Sequence, residues 1–327
     1  MTARPERRSS SGLAREELLA EAATLYYRSR LEQEEIAQRL NVSRSTVSRM
    51  LQEALRTGIV EIRIRHSLPL HAELQRTLAG RFGLRDAMVL DTGGRKHDEH
   101  LPRVGRLAAR YLDTSLGVGD VLAISWGTAV RAVADELQPR MPRDVEVVQM
   151  LGGAGSRNLQ VDGTELARRM ADLLGGHCRY LNVPLVVDDE ATALALRRQR
   201  EVRETLAAAA HADLAVVGIG ALVPSVSSLL RAGYLTREEM DDLTAHGAVG
   251  DVCGHLFTGE GALVDVPLAR RIVNVPHEAL KTMPRVVGVA AGFDKAHAIL
   301  GALRARLVSV LVTDDVTIER VLRLADE

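Results

Sequence analysis

The sequence predicts an α/β protein in two parts. One is an N-terminal winged helix-turn-helix. The other is a larger, Rossmann-like body with a mainly parallel sheet. Three observations carry this reading. Short helical stretches broken at Asn41-Val42-Ser43 and Gly58 fill residues 14–58, and a β-branched run follows. From residue 86 onward, apolar runs without polar alternation recur, each followed by glycine and a helical stretch. The length of 327 residues, with 46% hydrophobic and 26% charged, suits about two globular domains with a sizeable core. The expected division is a tail at 1–13, a head at 14–66, a linking helix within 67–85 and a body at 86–327.

In the head, Leu18, Leu19, Ala22, Ala23, Leu25 and Tyr26 fit one face of a helix over 14–29. A second short helix, 33–40, turns Ile36, Ala37 and Leu40 inward. It begins at Leu31-Glu32 without the usual Ser or Thr cap, and the Glu32 carboxylate is expected to compensate near the positive helix end. Asn41 tolerates the left-handed backbone that a helix end needs, and Ser43 can cap a third helix running to about Arg56. Val47, Met50, Leu51 and Ala54 form its inward stripe. After Gly58, residues 59–64 read as a wing strand, with Arg63 and Arg65 near a nucleic-acid backbone.

The third helix is then a recognition helix. Ser43, Arg44, Ser45, Thr46, Ser48 and Arg49 are its candidate DNA contacts. Arginine can bond a guanine edge bidentately, and Ser or Thr can bond bases or phosphates. Charge agrees with this placement: residues 1–66 carry +3 and residues 67–327 carry −4.

The linking helix places Leu70, Leu74, Leu78 and Phe82 four apart, a stripe that packs on the body or on a second copy. The body's expected strands are 121–124, 145–151, 214–217, 286–290 and 307–312, and 91–100 reads as an exposed loop. In open α/β sheets, ligands sit beyond the carboxyl ends of strands. Four stretches could contribute there. They are Ser125-Trp126-Gly127-Thr128; Gly152-Gly153 with Gln160 nearby; Gly247 to Asp251; and Gly292 to Lys295. Lysine occurs only at 96, 281 and 295, and a cation at a sheet mouth suits a phosphate. Together, backbone donors, a carboxylate and a lysine describe a site for a phosphorylated polyol.

Other chemistries are less well supported. No phosphate-binding Walker sequence is present, and Gly218-Ile219-Gly220 lacks the third glycine of a dinucleotide site. Cys178 and Cys253 cannot alone make a zinc site, and the ten histidines show no paired metal spacing, so no metal or cofactor is expected. Cys253 reads as a small buried residue and Asp188-Asp189-Glu190 as a solvated turn before a helix. No run of 18 uncharged apolar residues and no N-terminal apolar stretch exist, so the expectation is a cytoplasmic protein without a membrane span.

The chain resembles the SorC type of bacterial sugar-binding transcriptional regulators over about residues 14–324. The head residues are Glu34-Glu35-Ile36-Ala37, Val42 to Arg49 and Gly58-Ile59-Val60. The body residues are Ser125-Trp126-Gly127, Gly218-Ile219-Gly220, Gly247 to Asp251, Gly288 to Gly292 with Lys295, and Leu311 to Asp314. The resemblance implies a body similar to sugar-phosphate isomerases and CoA transferases, with a phosphorylated sugar as effector. It implies Gly127, Thr128, Gly152, Gly153, Asp251 and Lys295 as the effector residues, and a dimer or tetramer on palindromic operator DNA. Ala129 stands where the family commonly has a second Thr, so one hydroxyl donor is missing. The expectation is a regulator and not an enzyme. The alternative is a sugar-phosphate isomerase or deaminase fused to a helix-turn-helix. It needs a base and a second proton-transfer group, and only Asp251 is a plausible carboxylate at a strand end.

Overall fold

A computed structural model describes residues 10–60, 68–94, 100–153 and 161–327, with side chains from residue 15 onward. The chain divides into two compact units, 1–67 and 68–327.

In the first unit, α1 (Ser10–Ala23) runs on through a π-helical turn (Thr24–Arg28). Helices α2 (Gln33–Arg39) and α3 (Arg44–Arg56) follow. Asn41 between them is left-handed, with φ 53°. Ser43 Oγ accepts from the backbone N–H of Thr46 at 3.2 Å, which fixes the start of α3. The missing Ser or Thr cap of α2 is replaced from within: the Glu35 carboxylate accepts from the backbone N–H of Glu32 at 2.9 Å. Leu19, Ala22, Ile36, Ala37, Val47, Met50, Leu51 and Ala54 close a small core. Leu18, read as inward from its spacing, is exposed instead, because its neighbour Leu19 takes the buried position on the helix. Arg15 donates two bonds to Glu53, at 3.2 and 2.6 Å, and so straps α1 to α3. Ile59 and Val60 pack on the core, while the rest of the expected wing strand, with Arg63 and Arg65, lies outside the described residues.

The second unit opens with α4 (Ala72–Phe82), ended by Gly83 at φ 64°. Its Leu78 packs in one core with Ala87 and Val89 of β1 (Asp86–Leu90). The remaining elements, in order, are α5 (His100–Ser115), β2 (Val121–Ile124), α6 (Thr128–Glu136), β3 (Glu146–Gln149), α7 (Gly163–Leu174), β4 (His177–Arg179), α8 (Glu190–Arg198) and α9 (Arg200–Ala210). Then come β5 (Leu214–Gly218), β6 (Gly220–Ala221), α10 (Ser228–Arg231), α11 (Arg237–Ala245), β7 (Ala248–Val252), β8 (His255–Thr258), α12 (Pro267–Arg270) and α13 (His277–Thr282). The chain ends with β9 (Val286–Val289), a 3-10 turn (Phe293–Lys295), α14 (Ala296–Arg304), β10 (Val310–Asp314) and α15 (Asp315–Asp326).

Seven parallel strands form one sheet in the order β1-β10-β9-β5-β2-β3-β4. Its five inner strands are largely apolar on both sides because both faces are covered. Leu122, Ile124, Val147, Leu214 and Val216 point to one face, under α5, α6 and α7. Their neighbours Ala123, Val148, Ala215 and Val217 point to the other, under α9 and α14. A three-stranded antiparallel sheet, β6-β7-β8, stands beside this second layer.

Three expectations change. Two edge strands are added: β4, whose His177-Cys178-Arg179 is short and polar, and β1, although its Ala87–Leu90 run is apolar; the small sheet was hidden because its strands are short and glycine-broken. The last strand lies at Val310–Asp314, three residues later than its apolar run begins. Nor is 91–100 an exposed loop throughout. Thr92 is buried and its backbone N–H donates to Asp315 at 3.0 Å, and buried His100 opens α5.

Candidate functional site

The first candidate surface is the start of α3. Arg44, Ser45 and Arg49 are exposed there, and Thr46 and Ser48 are half-buried. Ser43 is held by its capping role, with its Oγ 2.8 Å from the hydroxyls of both Ser45 and Thr46. The arginines are loosely held. Arg44 lies 3.9 Å from Glu34, and Arg49 Nε donates to Ser45 O at a long 3.4 Å. Contacts this weak in solvent are easily exchanged for phosphate or base edges.

The second lies in the body, where strand order reverses. From β2 the chain moves outward to β3 and β4, then returns to place β5 on the other side of β2. Crevices form at such switch points. Here a narrow cavity of about 40 Å³ opens beyond the carboxyl ends of β2 and β5. Gly127, Thr128, Asp251 and Lys295 all line it, although more than 120 residues separate the first two from Asp251.

Each side chain is positioned by a specific local feature. Gly127 takes φ 113° and precedes α6, whose first N–H groups have no side-chain cap. An uncapped helix start attracts anions. Asp251 sits against Gly220, where a side-chain methyl would overlap its Oδ1, and its Oδ2 accepts from the Gly254 N–H at 3.1 Å. This is the physical use of Gly218-Ile219-Gly220: Gly220 makes room for a carboxylate. Lys295 Nζ donates to Ile219 O at 2.7 Å. Burial pulls Lys295 down to about 8, opposed by nearby Asp251. Burial also pushes the Asp251 carboxyl above its usual range, opposed by the Gly254 N–H and by Lys295.

Other expected residues fall elsewhere. The Gly152 and Gly153 N–H groups donate to Val273 O and Val183 O, both at 2.9 Å. The Gly292 N–H donates to Thr317 Oγ1 at 2.8 Å. None of the three lines the cavity, so the expected backbone donors there are already used within the protein. Gln160 lies outside the described residues. Cys253 does line the cavity, buried, with its thiol pushed up by burial. Asp189 caps α8 through the Thr192 N–H at 2.7 Å, as its turn position suggested.

Some lining residues went unread. Ser228 heads the four-residue α10, and no motif marks it. Ser125 belonged to a recognised stretch but acquires a role only here, as its Oγ accepts from the Gly218 N–H at 3.3 Å. Trp126, the chain's one tryptophan, forms part of the wall and packs edge-on to Tyr234.

Comparison with known proteins gives these sites a context. The model of the Sugar-bind family of sugar-binding domains matches residues 68–323, and that of sigma-70 region 4 matches 22–57. The chain belongs to the SorC family of sugar-binding transcriptional regulators. It is 32% identical to the deoxyribonucleoside regulator of Bacillus subtilis, over 93% of this chain and 96% of that one. It is 30% identical to the sorbitol operon regulator of Klebsiella pneumoniae, over 94% and 98%. The crystal structure of that full-length regulator superposes with a TM-score of 0.70, covering 94% of this chain and 99% of the other. This family member thus joins a helix-turn-helix head to a sugar-binding body, which makes it a DNA-binding transcriptional regulator.

Proposed function

We propose that the regulator is a cytoplasmic, non-enzymatic switch whose effector is a phosphorylated sugar. The phosphate would lie at the start of α6, against Gly127 and Thr128, with Lys295 as counter-charge. Asp251 would accept from a sugar hydroxyl. The observation that carries this reading is the meeting of an uncapped helix start, a lysine and a carboxylate in one cavity at the switch point. At about 40 Å³, the space suits the charged end of a ligand, with the rest lying toward Trp126.

The proposed division of labour is a reading head at 14–66, a joining helix within 67–85 and an effector body beyond it. Ser43, Arg44, Ser45, Thr46, Ser48 and Arg49 would form the operator contacts, Ser43 by holding the helix start. Operators would be palindromic and the protein a dimer or tetramer. The effector can change DNA affinity only by its differential affinity for two arrangements of the chain.

An enzyme needs a base and a second proton-transfer group facing the substrate. Asp251 supplies one, but Lys295 donates to a backbone carbonyl and the Cys253 thiol is held protonated by burial. The test is a panel of sugar phosphates read by Trp126 fluorescence and thermal stabilisation. One or a few should bind without turnover and alter operator affinity. Turnover, or binding unchanged in Lys295→Ala, would overturn the reading.

A further inference from the structure

A second cavity, about 490 Å³, lies on the α8–α9 side of the body. That volume is within the roughly 300–1,000 Å³ usual for small-molecule sites. Leu206, Ala207, Ala210 and Pro276 give it a largely apolar wall. A ligand rich in hydroxyls would leave them unpaired against this surface.

The cavity also holds a charge without a counter-charge. Arg197 is half-buried, and Nη2 donates only to neutral acceptors, Ile272 O at 2.5 Å and Asn274 Oδ1 at 3.1 Å. Its Nε is buried with no partner, and no carboxylate pairs with it among the described residues. Exposed Arg203 adds a second positive charge at the lining. Among the described residues the one lining carboxylate, Glu278, is 3.2 Å from His277 Nε2. His255 contributes no charge near neutrality, since burial takes it down to about 4, and its Nε2 is 2.8 Å from Val275 O. A half-buried guanidinium is costly without an anion, and a carboxylate would give it a charge-assisted partner.

We propose that this cavity is a second ligand site, for an organic carboxylate with an apolar body. The carboxylate lies on Arg197, with Arg203 steering it in, and the apolar part lies on Leu206, Ala207, Ala210 and Pro276. It is distinct from the cavity at the switch point, and no lining residue is shared.

The test is calorimetric titration of the full-length protein with three probes: hexanoate, 1-hexanol and inorganic phosphate. Hexanoate should saturate at one per chain. Hexanol, lacking the charge, should bind about tenfold or more weakly, and phosphate should leave this cavity empty. Arg197→Gln should weaken hexanoate by the same factor. Because Arg197 also holds backbone, Ala207→Trp provides an independent block from an exposed position, and it should abolish hexanoate binding with the fold intact. Lys295→Ala should leave hexanoate binding unchanged, which separates this site from the effector reading. Three results would overturn the proposal: hexanol binding as tightly as hexanoate, hexanoate binding that survives Ala207→Trp, or binding that weakens as protein concentration rises. The last would mean that a second copy fills the cavity.

Discussion

The head keeps its candidate contacts within one stretch of chain, residues 43–49, on one face of α3. The body assembles its own from Gly127, Asp251 and Lys295, on three different elements. A local site depends on helix propensity, one cap and a small core. A dispersed one depends on the whole sheet being in register, because each residue reaches the cavity only if β2, β7 and β9 are correctly placed. The head should therefore tolerate changes to its contact residues without unfolding. The body should lose its site through substitutions that never touch a ligand.

The largest expected effect tests that last point. Gly250→Ala places a methyl against Gly220 O and 2.6 Å from Ala298 Cβ, atoms with little freedom to move. It should destabilise the body by about 1–3 kcal/mol in denaturant unfolding and abolish effector binding, while the head of the same variant keeps its stability. Equal loss in both units would break the comparison. Gly220→Ala is a sharper version: its methyl meets the Asp251 carboxylate, so effector affinity should fall more than stability does.

Next in size is Arg49→Ala. Loss of a base-reading arginine should weaken operator binding by about 1–3 kcal/mol and relax choice at one position. A uniform fall across unrelated sequences, measured by fluorescence anisotropy, would instead assign Arg49 to phosphate. Ser43→Ala should cost the head about 1 kcal/mol by removing the cap of α3, readable as a lower melting point with the body unchanged.

The pH dependence follows from Lys295. Burial lowers its proton affinity to about 8, so the ammonium is lost as pH rises through that value in the free protein. Phosphate binding should hold steady just below pH 8 and weaken above it, by up to about tenfold per unit. Lys295→Arg should push the fall beyond the measurable range. A flat profile for the parent protein would remove Lys295 from the phosphate contact.

The smallest effect concerns the two cavities. Asn274 accepts from Arg197 and donates to Cys253 O at 2.7 Å, in the turn between β7 and β8 that follows Asp251. Hexanoate at saturation should therefore change effector affinity severalfold, and the effector should change hexanoate affinity by the same factor. Asn274→Ala should cut that coupling.

Much of this architecture was legible in the chain. The inward stripe of α3, the left-handed Asn41 and the Ser43 cap are local events, fixed by side-chain chemistry over three or four residues. The buried strands were legible for a similar reason: a strand covered on both faces has no polar position to confuse it. The edge β4 was not, because an exposed edge permits polar residues such as His177 and Arg179. Gly152, Gly153 and Gly292 show a different limit. Glycine after a strand signals a close approach but not what approaches. Here Gly152 abuts the Pro184 carbonyl, and the Gly292 N–H goes to Thr317.

The amino-acid order alone determined where the reading helix starts, which of its faces is wet, and that a parallel sheet must follow, since caps and apolar periodicity act over a few bonds. Tertiary structure decided which distant residues share a cavity and that Gly220 stands where Asp251 needs space. It also decided that Arg197 has no carboxylate beside it among the described residues, because those outcomes depend on strand order and on packing between segments far apart in the chain.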